Sequence, residues 1–449
     1  MSAGDRIVAV AQGENPFVDT SNMALDKVVE LMRGKKGTVV RLQLLPAGAT
    51  DPSRRRLVTL VRDTVKLTDE EAKAEIIDKF LPEGSVRHLG WITLPSFYDD
   101  TGIFGIGKSA SRDVAALLKR LNREKVQGLV VDLRSNGGGS LDEAVKMTGL
   151  FINQGPVVQV QDPDGNIDVL REHKGKALYT GPMVVLVDKL TASASEIFAA
   201  AMQDYSRALI VGDSSTFGKG TVQTILRLGR TSSADGALDL TVQKFYRVTG
   251  GSTQLRGVNS DVKLPSITDR AEYGESALNY PLAYDEIESV PIDLTGNRKA
   301  LFKDELRRRS AVRVRHDPGF RDIAEDVQRL NERLKNNRLS LNEATRRAER
   351  AKDIMQREKE ETERRNAEQA DRSKTYELTL AHVNKRQLPL LEKTLATTNP
   401  APRSSNPVDA ALDEGEENDL AENGPAKREA LNILSDLIAF SESSRAVGQ

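Results

Sequence analysis

Cysteine is absent from the 449-residue chain, which excludes disulfides and thiolate chemistry but chooses no compartment. Histidine is scarce, with four copies. No histidine cluster accompanies acidic pairs such as Asp99–Asp100, so no metal site and no cofactor are expected. No charge of one sign dominates: 65 basic residues face 66 acidic ones, for a net charge of −1. Bulk charge therefore predicts no nucleic-acid partner and indicates no membrane association. No apolar run approaches the roughly 18–20 residues of a membrane span. The first residues are not expected to form a leader peptide. "MSAGDRIVAVAQGENPF" reads as a turn and a strand from Arg6 to Val10, so the chain is expected to begin inside a folded unit.

Apolar residues make up 38% of the sequence, enough for an ordinary core over most of it. The length allows roughly two to four domains. Up to about Asp63 the pattern is a strand, a helix stopped at Gly34 and two more strands. From about Glu83 to Pro265 apolar strands alternate with amphipathic helices, which predicts a largely parallel sheet with covered faces. Beyond Pro265 charged helical sequence dominates. A helix is predicted over Arg321–Lys335, and a longer one over Glu343–Arg372 behind a Ser340–Glu343 capping box. Too few apolar residues recur there for a coiled-coil seam, so a solvated face is expected. Pro-, Asn- and acid-rich sequence from about Ala396 predicts a disordered linker. Ala430–Phe440 reads as a short amphipathic helix able to dock on the body.

In parallel sheets, sites gather beyond the strand C-terminal ends. Three such ends are Asp132, Asp188 and Gly212, and a glycine cluster and a serine turn follow directly. "LTASASEIF" places Ser193 at the start of a helix, as the first residue of an S-x-x-E capping box with Glu196. Taken alone, Ser193 reads as an N-cap. Its place after a buried strand, its small neighbours Ala192 and Ala194 and the dipole of the helix it opens also suit a nucleophile with an oxyanion site. "TFGKG" sets Lys219 between two glycines. A surface lysine in a tight turn is the ordinary reading. A lysine deprived of water, its pKa lowered by about three units, would serve as the base that a serine nucleophile needs.

Asp204 follows Ser193 on the same helix, about 16 Å away if the helix is continuous. It cannot then be the base, and a structural role such as pairing with Arg207 is expected. Gln223 is placed to orient Lys219, provided that the backbone bends at Gly220. "DLRSNGGGS" supplies successive glycines whose amides could face an anion; a flexible loop is the plainer reading.

Together, "AGDRIVAVAQGE", "LDKVVELMRGKKGTVVRLQLLPAG", "VVDLRSNGGGSLDEAV", "LTASASEIFAAAMQDY", "TFGKGTVQ" and "VQKFYRVTGGSTQLRGVNSDVKLP" resemble the tail-specific, or C-terminal processing, peptidases of Gram-negative bacteria. The likeness covers Met1 to about Pro265 well and continues more loosely beyond. It implies a serine endopeptidase with a Ser193–Lys219 dyad, Gln223 orienting the lysine, and Asp204 matching an aspartate needed for activity. It also implies an oxyanion hole from Ala194 and from Gly138 or Gly139. Implied partners are protein or peptide substrates with exposed apolar C-termini, with room for an adaptor protein, in the periplasm. The loop before Lys219 is one residue longer than the family's usual one. The family's PDZ domain would begin before Met1.

The expected fold is therefore α/β. A partial PDZ-like β-rich module spans residues 1–70 and an α/β serine-peptidase core spans 71–265. A helical charged C-terminal region covers 266–395, the linker 396–427 and the terminal amphipathic helix 428–449. The competing readings are a non-catalytic peptide-binding scaffold, an inactive truncated fragment, and a chain whose long charged helix drives assembly.

Overall fold

The strand, helix and two strands expected at the start of the chain are present in the computed structural model, which describes residues 5–46, 54–63, 71–81, 83–100, 107–172, 175–228, 236–295, 299–336, 340–370, 372–391 and 424–447. They are β1 (Arg6–Gln12), α1 (Leu25–Met32), β3 (Val39–Leu45) and β4 (Arg56–Val61), with a two-residue β2 (Val18–Asp19) between the first two. The sheet runs β2-β1-β3-β4 and every pairing is antiparallel. Period-two alternation puts Val40, Leu42 and Leu44 on one face, where they meet Val10 in a small core. These elements belong to a compact unit that ends at Asp69, and a second unit begins at Glu70.

The second unit starts with an antiparallel pair, β5 (Lys73–Phe80) and β6 (Val86–Thr93). Helix α2 (Ala110–Arg123) follows, then β7 (Gly128–Asp132), α3 (Leu141–Thr148), β8 (Gly155–Gln161), β9 (Ile167–Glu172), β10 (Met183–Val187), α4 (Ala194–Asp204) and β11 (Leu209–Gly212). Next come β12 (Thr221–Arg227), β13 (Ala237–Tyr246) and a short β14 (Val262–Lys263). The charged region supplies α5 (Lys303–His316), α6 (Pro318–Asn336), α7 (Glu343–Ala370), β15 (Lys374–Leu378) and β16 (Leu390–Leu391). Helix α8 (Pro425–Val447) completes the unit.

The central sheet has eight strands in the order β14-β11-β10-β7-β6-β5-β15-β16. Its middle, from β14 to β6, is parallel, as the strand–helix alternation predicts. Strands β7 and β10 are buried on both faces, so they read as unbroken apolar runs. Leu129, Val131, Val185 and Val187 face the core shared with α2, α3 and α4, while Val130, Val184 and Leu186 face the core shared with α5, α6 and α8. A second sheet, β12-β13-β8-β9, is wholly antiparallel.

Three local features differ from expectation. The charged region is not helical throughout, because β15 joins the central sheet along β5 with Thr375 opposite Ile77. Helix α7 is capped by Asn342, whose side chain accepts from Thr345 N–H at 3.1 Å, rather than by a box begun at Ser340. Helix α8 starts before the predicted boundary and takes in Pro425–Lys427; the remainder of the predicted linker, residues 396–423, lies outside the described residues. Leu431, Ile433, Leu434, Leu437 and Ile438 of α8 are buried against the sheet, each contributing about 2 kcal/mol on transfer from water. Among the described residues no helix is long and apolar enough to cross a membrane.

Candidate active site

Strand β10 delivers the chain to Asp188, and the next turn is fastened to that carboxylate. Asp188 accepts from the Ser135 N–H at 2.9 Å, the Thr191 hydroxyl at 2.8 Å and the Leu190 N–H at 3.1 Å. Burial raises its pKa even so. Asn136, fully buried, joins the glycine loop to the serine turn. Its side chain accepts from Gly138 N–H at 2.9 Å and donates to Leu94 O at 2.8 Å, while its carbonyl accepts from Ala192 N–H at 2.9 Å and the Ser195 hydroxyl at 3.0 Å.

Ser193 caps α4, and the capping box with Glu196 is present. It is an unusual cap. An N-cap ordinarily lies in the β region, whereas Ser193 has φ 58° and ψ −117°. A non-glycine residue held there stores strain, a condition concentrated at functional sites and typical of nucleophiles on sharp strand-to-helix turns. Gly138 lies directly against this turn at φ +105°. A Cβ on Gly138 would come within 2.7 Å of Ser193 Cβ and 3.0 Å of Ala194 N, so the contact requires glycine on both counts.

The lysine turn is held from two sides. Glu196 accepts from the Thr216 hydroxyl at 2.5 Å, Gly218 N–H at 2.8 Å and Lys219 N–H at 2.9 Å. Thr253 donates to Lys219 O at 2.9 Å, and Gln254 accepts from Gly220 N–H at 2.8 Å. The oxygen of Glu196 that takes the Lys219 N–H, Oε2, also takes the Ser193 N–H at 2.9 Å. The two main-chain nitrogens therefore lie within twice 2.9 Å of each other. Burial pushes the Glu196 carboxyl up to about 7, against the pull of its four donors.

The half-buried Lys219 donates its amine to Gln223 Oε1. The strand register shifts between Val222 and Gln223, so the irregularity lies at a bulge inside β12 rather than in a turn at Gly220. Among the described residues no hydrogen bond joins the Lys219 amine to the Ser193 hydroxyl. Asp204 lies at the other end of a continuous α4, as the distance argument requires. Its partner is Arg247, just past β13, and not Arg207. Arg207 turns inward instead and donates to the carbonyls of Phe151 and Tyr179. Of the loop amides, Gly138 N–H is spent on Asn136. Among the described residues the N–H groups of Gly139 and Ala194 have no acceptor.

Sequence reasoning overlooked Asn136 and the long-range half of the Glu196 role. The capping box gave Glu196 a sufficient local explanation, while Thr216, Gly218 and Lys219 come a full strand and loop later.

Sequence comparison places this geometry among known proteins. The peptidase family S41 matches residues 88–264, and the C-terminal domain of tail specific protease matches residues 268–439. A tail-specific protease of Haemophilus influenzae is 42% identical over 367 residues, 80% of this chain and 50% of that protein. A carboxy-terminal-processing protease of Bartonella bacilliformis is 34% identical over 317 residues, 70% of this chain and 64% of that one. The chain thus spans about half to two thirds of the length of these curated relatives. Among solved structures, a photosystem II D1 C-terminal processing protease aligns with TM-score 0.38 at 29% identity over 59% of this chain and 64% of that chain. A PDZ domain of a Vibrio cholerae carboxy-terminal protease, in complex with peptide, aligns with TM-score 0.14 at 40% identity over 15% of this chain and 66% of that chain.

Proposed function

Since the chain belongs to peptidase family S41 and carries the C-terminal domain of tail-specific proteases, we propose that it is a serine endopeptidase acting on proteins with apolar C-terminal tails. Ser193 is the nucleophile and Lys219 the base. The uncharged Lys219 amine takes the Ser193 Oγ proton as Oγ bonds to the scissile carbonyl carbon. The carbonyl oxygen becomes an oxyanion at the N-terminus of α4, where Ala194 N–H and Gly139 N–H are the donors without acceptors. The C–N bond then breaks, the lysine proton goes to the leaving amine, and water hydrolyses the acyl-enzyme with Lys219 again as base.

The observation that carries this reading is the Glu196 carboxylate, one oxygen of which holds the main chain of Ser193 and of Lys219 at 2.9 Å each. With the two main chains held close, the amine leaves Gln223 to reach the serine hydroxyl when substrate binds. Catalytic hydrogen bonds commonly tighten in this way only when substrate is bound. Gln223 orients the amine without stabilising its charge as a carboxylate would. Asp204 acts at a distance, by fastening α4 to Arg247.

The kinship with tail-specific proteases also supports a periplasmic enzyme, which cell fractionation checks. Cleavage of a peptide with an apolar C-terminal tail tests the chemistry. Ser193→Ala and Lys219→Arg are both expected to fall to the uncatalysed rate, because arginine keeps its proton. Equal cleavage by Lys219→Arg would remove the lysine from the mechanism. Peptide bound but left uncut by every version would favour a scaffold.

A further inference from the structure

Lys189 is the residue after Asp188, in the turn that leads from β10 to Ser193, and it takes no part in the acyl transfer. Its N–H donates to Asp213 Oδ2 at 2.8 Å. Its half-buried ammonium reaches the loop between β11 and β12, where it donates to the Ser215 hydroxyl at 2.7 Å and to the Thr216 carbonyl at 3.1 Å. Among the described residues no carboxylate pairs with it. Its stem runs against Gly274, where an added Cβ would come within 3.1 Å of Lys189 Cε. An ammonium spent on a neutral hydroxyl and a carbonyl gives up hydration without gaining an ion pair. What it adds is direction, because charged donors make the stronger hydrogen bonds.

The Thr216–Phe217 peptide is held at both polar ends by the turn before Ser193. Its carbonyl accepts from Lys189 Nζ, and its N–H donates to Thr191 O at 3.0 Å. A peptide unit is planar, so two fixed ends fix the plane. Gly218 follows at φ +97°. It has no side chain to resist a rotation of that plane, which would pass directly to Lys219. Glu196 grips the N–H groups of Gly218 and Lys219, but an ionised carboxylate only accepts and cannot hold a carbonyl. Lys189 supplies the donor that Glu196 lacks. We propose that Lys189 is a positioning residue for Lys219: its ammonium fixes the Thr216 carbonyl and, with it, the path of the chain into the lysine turn. This rests on the Ser193–Lys219 dyad.

The test is peptide cleavage by the full chain, with kcat and KM read separately and the folded fraction read by circular dichroism. Lys189→Met keeps the stem and removes the donor. It is expected to stay folded and to lower kcat at least about tenfold, since a small displacement of a reacting group costs up to about a hundredfold. KM is expected to stay within about twofold, because ground-state binding is untouched. Lys189→Arg restores a charged donor and is expected to recover most of the loss. Ser215→Ala removes one of the two acceptors and is expected to lower kcat about threefold; it decides the matter if Lys189→Met does not fold. The proposal is overturned if folded Lys189→Met keeps the wild-type kcat, if the loss lies in KM, or if Lys189→Arg is no better than Lys189→Met. With Lys189→Met unfolded, a wild-type kcat for Ser215→Ala overturns it. Each of these outcomes leaves the dyad standing. A wild-type chain that cuts nothing, or no better than Lys219→Arg, overturns the dyad and the role of Lys189 together.

Discussion

Helix α4 carries a buried carboxylate at each end, and the two are satisfied in opposite ways. Glu196 at the N-terminus accepts from three main-chain N–H groups and one hydroxyl, with no cation among them. Asp204 at the C-terminus is held by a guanidinium, that of Arg247. Burial raises the pKa of both. The first arrangement fixes where backbones lie, because each donor is part of a turn. The second fastens one element to another, because Arg247 follows β13, and β13 pairs along β12, the strand that begins just after Lys219. The helix thus relates Ser193 to Lys219 twice, once directly and once through the second sheet.

The comparison breaks most sharply at the N-terminal end. Glu196→Ala strands four donors at once, and each buried donor left unsatisfied costs about 1–3 kcal/mol. Cleavage is expected to fall by roughly a hundredfold or more, an effect of the size seen on losing one oxyanion donor, and chemical denaturation should show a loss of several kcal/mol. A variant that keeps full activity would separate the clamp from the chemistry. At the C-terminal end, Asp204→Asn or Arg247→Gln breaks one buried pair, for a loss of about 3 kcal/mol. If the pair acts by fastening, the two losses will not add in a double-mutant cycle. Full additivity would deny the coupling. Gly138→Ala probes the contact beside the serine without touching either acid. Its Cβ would approach Ser193 Cβ to 2.7 Å, at a cost of about 1–3 kcal/mol as overpacking, with kcat expected to fall more than KM rises.

The smallest effect concerns pH. The folded pKa of Glu196, about 7, lies above its ordinary 4.5, so the native state keeps a proton that the unfolded chain gives up. The stability due to this group is complete below the unfolded pKa and is lost as pH rises through about 7. Thermal midpoints across that window should therefore decline less in Glu196→Gln than in the wild type. An identical slope would place the titration elsewhere. The shift at Asp204 has the same sign, and Arg247 opposes it, so Asp204→Asn should flatten the profile less.

Much of this was legible in the sequence. The apolar runs of β7 and β10, each followed by small polar turns and a helix, announce a parallel sheet, because strands covered on both faces need no alternation. The Ser193 and Lys219 turns stand out because serine at a helix start and glycine on both sides of lysine are local signals. The partner of Asp204 was not legible. Arg207 is the nearer cation in sequence, but two backbone carbonyls claim it, and Arg247 comes from another sheet. Strand β15 was hidden for a related reason. "KTYEL" has no apolar run, since only the two-residue β16 lies beyond it in the sheet and most of its side chains are part-exposed, and its other pairing partner, β5, lies at the far end of the unit's sequence.

The covering of one sheet face by α8 has a consequence for biosynthesis. Val130, Val184 and Leu186 leave the ribosome long before Leu434 and Ile438, the side chains that will shield them. Until α8 arrives, a nascent chain already holding Ser193 and Lys219 displays a greasy, unfinished surface. A stalled or clipped product lacking α8 is therefore a candidate for chaperones and aggregation.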